Sequence, residues 1–225
     1  EHLAMIEPNL PDVLESIGLS YPEDWELGIL YEQARVYTEI GQAHKAIQAA
    51  QALIKQRADF IPGYNSLALA YMANDQYEDA IATLQTTLEQ YPNSILLRAN
   101  LVRFFCLRGC FDQAETHKPH LLANTSPEPN DLTRKAEALA YLDDITAIID
   151  LLATVSPDPE KENRPVVTGL FHHLVAVALV RQGDPVAARK QWRLSLELYP
   201  DMEVAQENLD DFDMAPTFKE GPWPF

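Results

Sequence analysis

The sequence predicts an all-α protein, a solenoid of stacked antiparallel helix pairs about five hairpins long. Two observations carry this. Ala46, Ala80 and Ala114 stand 34 residues apart, and their surroundings move with them: Ala34-Tyr37-Gly41 returns as Ala68-Tyr71-Asp75 and as Val102-Phe105-Gly109. A fixed period of this length marks helical hairpins, none of which can bury its own apolar face alone. Between these landmarks the apolar spacing is helical, and the breaks carry Gly, Asn, Asp or Pro.

Taken in order, residues 1–24 form an N-terminal segment with one short helix, opened by Pro11 and ended by Gly18. Residues 25–127 hold three consecutive repeats, with helices expected over 26–40, 43–56, 63–73, 77–90, 94–107 and 111–123. Beyond Pro127 the register slips: Ala138 and Tyr141 repeat the spacing of Ala68 and Tyr71. Residues 128–165 therefore read as a degenerate hairpin with a shortened turn, then a Pro-rich loop around Pro157, Pro159 and Pro165. A further repeat follows over 166–202, where Ala176, Leu179, Gly183, Ala188 and Trp192 restore the earlier spacing. It stands 74 residues after Ala114, one step of 34 and one of 40. Residues 203–214 form an acidic capping helix of the kind solenoid ends require, and 215–225 an extended tail rich in Pro and aromatics. The whole is expected to be a single elongated domain.

The residues of the middle repeat, Tyr64, Leu67, Ala68 and Tyr71 on the first helix, Tyr77, Ala80 and Leu84 on the second, and Pro92 at the end, resemble the tetratricopeptide repeat family. Small residues at Ala34, Ala68, Ala46, Ala80 and Ala114 allow close helix approach, while Tyr37, Tyr71 and Phe105 fill the space above. The resemblance implies a right-handed superhelix whose first helices line a concave groove that holds an extended peptide or a partner helix. On that face the expected binding residues are Arg35, Asn65, Asn100 and Arg103 for polar contacts, and Tyr31, Leu69 and Met72 for apolar ones. Arg35 and Arg103 suggest a local positive patch and a carboxylate in the ligand, whereas acidic rims would attract basic flanks, so the sign of the ligand is open. The carboxylate clamp of chaperone-binding relatives is absent: its places hold Tyr31, Arg35, Ser66, Leu96 and Asn100.

Composition narrows the classes. There are 34 acidic against 17 basic residues, a net charge of −17. Such a surface repels phosphate, so no nucleic-acid partner and no membrane partner are expected. No apolar run is expected to reach the ~18–20 residues of a membrane helix. Two cysteines make no disulfide framework and fit a cytoplasmic, reducing setting. The chain opens Glu-His-Leu without Met, as expected of a processed or excised piece.

Catalytic motifs are missing: there is no nucleophile elbow, phosphate loop or helical zinc-protease signature. No cofactor is expected. Cys106, Cys110, His117 and His120 form a string with metal-like spacing, but small semi-buried turn residues explain it better. His172 and His173 point about 100° apart on a helix and do not converge easily on one ion. The reading is a non-catalytic module that binds a protein or peptide partner, with self-association through the tail as an option. One alternative is a regulatory or scaffolding segment of a larger multidomain protein, an enzyme included. A second is a metal-binding domain built on the Cys/His string.

Overall fold

The computed structural model describes residues 10–154 and 164–214, and among them every regular element is helical. A short helix α1 (Leu10–Ser16) leads into helix pairs. These are α2 (Trp25–Glu39) with α3 (Ala43–Gln56), and α4 (Ile61–Ala73) with α5 (Tyr77–Gln90). Next, α6 (Ile95–Leu107) is followed by the broken pair α7 (Phe111–Glu115) and α8 (Lys118–Ala123). Then come α9 (Pro129–Tyr141) with α10 (Ile145–Asp150), continued by a 3₁₀ turn Leu151–Thr154, and α11 (Pro165–Gln182) with α12 (Pro185–Leu198). The final α13 spans Glu203–Met214.

One turn joins the helices of each pair. Gly41, Asp75, Gly109, Asp143 and Gly183 all adopt left-handed backbone, with φ of 72°, 57°, 70°, 57° and 92°. The next amide then donates to a carbonyl five residues back: Gln42 to Tyr37 at 2.8 Å, Gln76 to Tyr71 at 2.9 Å, Cys110 to Phe105 at 2.8 Å, Asp144 to Leu139 at 2.9 Å and Asp184 to Leu179 at 2.9 Å. This satisfies a carbonyl that the helix end would otherwise strand. The donor is also the N-cap of the second helix. In two turns its carboxylate caps that helix, Asp144 accepting from the Ala147 amide at 3.1 Å and Asp184 from Ala187 at 3.0 Å.

The turns correct the register expected after Pro127. Gly41, Asp75, Gly109 and Asp143 keep the 34-residue step, and Gly183 follows 40 later. In the fourth pair Ala136, Leu139 and Ile148 therefore occupy the places of Ala34, Tyr37 and Ala46, not Ala138 and Tyr141, and the turn is not shortened. Ala136, Leu139 and Ile148 are all fully buried. The aromatic and the small residue that flag the motif elsewhere are replaced by Leu and Ile, which hides the repeat. The longer step falls between Ile148 and Ala176.

The helix expected over 111–123 is broken. Pro119 has no amide to offer Glu115, so the chain turns tightly instead, Thr116 donating to Gln113 at 3.2 Å and His117 to Ala114 at 3.0 Å. Pro119 then sits in the first turn of α8, where its missing donor costs nothing.

The chain divides into two compact units, Glu1–Leu97 and Arg98–Phe225, and the division falls inside α6. In the first unit, α1 and the loop after it cap the core: Leu14 and Leu19 pack with Leu27, Leu53 and Phe60. Asp24 ties this cap down, accepting from the Ser20 amide at 3.0 Å and pairing with Arg57 at 2.5 Å. Ala34, Ala49 and Ala50 form the close contact into which Leu67 packs.

The second unit is built around α11, whose residues Phe171 to Val180 are all buried. This helix corrects another expectation: it is 18 residues long with a mean hydropathy of 1.2, long and apolar enough to cross a membrane, and 67% of it is buried inside the unit. Burial on all sides removes the need for a polar face. Gly169 permits the closest approach, since a Cβ there would lie 2.9 Å from the Tyr199 Cβ and 3.1 Å from the Ser195 carbonyl oxygen. The Ser195 hydroxyl donates to the Gly169 carbonyl at 2.8 Å across the same contact. On the other side α13 lays Phe212 against Trp192, ring centroids 5.8 Å apart.

Candidate functional site

The expected binding residues lie on the first helices of the pairs. In the first unit α2 and α4 pack together, so Arg35 and Leu69 hold equivalent places on neighbouring helices. Arg35 is not an open cation. Its guanidinium donates to both carboxylate oxygens of Glu32, at 3.1 and 2.6 Å, and to Glu39 at 2.6 Å. Glu32 is only 4% exposed, and its hydrogen bonds hold the Arg35 charge on more firmly than usual. Tyr31 turns its edge to Phe60, ring centroids 6.4 Å apart, and serves the core of the unit. Asn65, Leu69 and Met72 are half-buried.

Asn100 and Arg103 belong to the second unit, Asn100 half-buried and Arg103 exposed. Arg103 faces a residue that the sequence reading passed over. Glu137 stands one period of 34 after it. Burial pushes the Glu137 carboxyl up, and the charges of Arg103 and Arg134 pull it back. Extending the rows one period past Arg103 would have found Glu137. Leu107, on the same helix, is 54% exposed.

Lys135 was also missed. It takes the place of Leu67 and Leu101 in the period, yet it is 1% exposed and donates to the Asn124 carbonyl at 2.5 Å. Burial lowers its pKa.

The Cys/His string does not assemble. Cys106 is a buried free thiol, pushed up to about 11 first by burial and then by Glu115. Cys110 is half-buried, and its thiol approaches the Arg108 carbonyl at 3.7 Å. His117 stacks on Phe105, centroids 5.9 Å apart, and lies 3.3 Å from the Arg98 guanidinium. Burial and that cation bring its pKa down to about 4. His120 is exposed. Among the described residues no three His, Cys, Asp or Glu side chains group as metal ligands would. His172 bonds Gln191 at 2.7 Å, whereas His173 is fully buried, and neither of its ring nitrogens has a hydrogen-bond partner. The loop around Pro157 and the aromatic tail lie outside the described residues.

Two segments, 29–59 and 66–94, match the family model described as tetratricopeptide repeat. A crystal structure of a tetratricopeptide repeat protein from Parabacteroides merdae is similar in fold, with a TM-score of 0.56 and 18% identity over 82% of this chain and 70% of that one. A MamA mutant aligns at 16% identity over 78% of this chain and 99% of that one, with a TM-score of 0.43. MamA MSR-1 aligns at 16% identity over 76% of this chain and 95% of that one, with a TM-score of 0.44. No curated protein sequence matches. Two matched segments, the recurring turn and the shared fold lead to one conclusion: residues 29–59 and 66–94 are tetratricopeptide repeats, set in an all-α fold of helix pairs like that of a tetratricopeptide repeat protein.

Proposed function

We propose that this protein is a non-catalytic interaction module whose first-helix faces hold a segment of a partner protein. Tetratricopeptide repeats are interaction modules as a rule, which supports the general role. One observation carries the finer reading. The same turn recurs in every pair, so equivalent first-helix positions repeat along the chain, and on α2 and α4 they combine charged groups with the incompletely buried Leu69 and Met72. Apolar side chains flanked by polar ones suit a peptide that contributes both side-chain pockets and backbone hydrogen bonds.

Photo-crosslinking tests this. A photoreactive amino acid at Met72 is expected to capture a partner from native lysate, and the same group at Gln85, exposed on the second helix α5, is not. Capture from Gln85 alone would move the interaction to the second helices.

A further inference from the structure

We infer that the first-helix face of the first unit receives a basic segment, an extended stretch of partner polypeptide bearing lysine or arginine; this rests on the first-helix reading above. Residues 1–97 contain 14 acidic and only four basic side chains, Arg35, Lys45, Lys55 and Arg57. Three of the four cations are engaged inside the unit. Arg57 pairs with Asp24 at 2.5 Å, and Lys45 lies over the Tyr37 ring, 5.4 Å from its centroid. Arg35, the cation on the face itself, is held by two carboxylates at 2.6 Å each.

That arrangement decides the sign of the ligand. An acidic residue seeking Arg35 would have to displace Glu39, or else Glu32, whose side chain is 6% exposed, and either way brings a third carboxylate to one guanidinium. Glu32, Arg35 and Glu39 together carry one net negative charge, and the outer carboxylate, Glu39, is 57% exposed. An incoming ammonium or guanidinium group meets Glu39 without breaking the inner pair. Leu69 and Met72, on the packed helix α4, offer apolar surface for the stem of that side chain or for its neighbour. The surplus of carboxylates in the unit steers such a ligand from a distance, an effect that salt screens.

The test uses the full chain and two labelled twelve-residue peptides, one repeating Lys-Leu-Ala and one repeating Glu-Leu-Ala, followed by fluorescence anisotropy at low and high salt. The basic peptide is expected to bind more tightly, and less so at high salt. Glu39→Lys should weaken it about tenfold, and Glu39→Gln by less. Glu89→Lys makes the same charge change on the exposed surface of α5 and should weaken it less than about twofold. Circular dichroism checks that each variant is folded. Tighter binding of the acidic peptide, or binding of neither, overturns the assigned sign while the photo-crosslinks from Met72 still stand. Equal losses in Glu39→Lys and Glu89→Lys reduce the effect to diffuse attraction and overturn the proposal. If the crosslinks come from Gln85 alone and only Glu89→Lys weakens the peptide, the first-helix reading itself has failed.

Discussion

The buried histidines make the fold sensitive to acid at a pH where its carboxylates still ionise. His173 is fully enclosed in α11, and burial lowers its pKa to about 4 from the usual 6.5. As pH falls below 6.5 the unfolded chain takes up a proton that the folded chain refuses, so stability is full above 6.5 and is lost progressively down to about 4. His117 works in the same direction over the same window. Glu137, raised by burial, offsets part of this at its lower end, because there the folded state binds the proton first. At about 1.4 kcal/mol per unit, His173 alone is worth on the order of 3 kcal/mol across the window. Urea denaturation at pH 7 and pH 5 should show about 2 kcal/mol of this loss in the wild type and a smaller loss in His173→Leu. Equal losses in the two proteins would mean that His173 does not carry the acid sensitivity.

At the scale of the element, each hairpin depends on close helix contact at its small residues. Ala80 is fully buried on α5, and a leucine there has no free volume to enter. Ala80→Leu is expected to cost ~1–3 kcal/mol and to lower the melting temperature by several degrees. Ala82→Leu, two residues on and exposed, should change stability by less than about 0.5 kcal/mol. Similar melting temperatures for the two variants would contradict the helix pairing. Successive pairs in the second unit are also tied by charge: Lys118 reaches Asp144 at 2.6 Å and Arg181 reaches Asp143 at 2.5 Å, both at the turn of the fourth pair. Partial exposure keeps such ties weak singly, so packing carries most of the stacking.

For the whole molecule, the ends matter as much as the repeats, because a stacked array leaves apolar surface at its last unit. In the second unit α13 supplies the cover: Ala205, Leu209 and Phe212 are buried, while Glu203, Gln206, Glu207, Asp210 and Asp211 are exposed. A chain ending at Asp201 should lose far more stability than one ending at Met214. Loss of Phe212 alone is worth ~3–5 kcal/mol. The emission of Trp192, fully buried beneath that ring, should shift to the red in the shorter chain only. Unchanged emission and melting temperature would show that α13 is not a structural cap. In the first unit α1 plays the corresponding part through Leu14.

What the sequence by itself determined about this protein is its local, periodic content. Helix pairs, their turns and their 34-residue step are written in small residues and left-handed positions a few residues apart, and these need no distant neighbour to be read. The pairing of Arg35 with Glu32 and Glu39, three residues before it and four after, was legible in the same way along one helix. Pro119 likewise marks the break in the third pair, although an unbroken helix over 111–123 was expected there. Only the tertiary structure decided the rest: that Lys135 and His173 are enclosed, that Glu137 lies near Arg103, and that contacts divide inside α6. The reason is physical. Desolvation and ion pairing depend on which side chains from other helices surround a group, and a polar residue at a core position looks in sequence like any other polar residue.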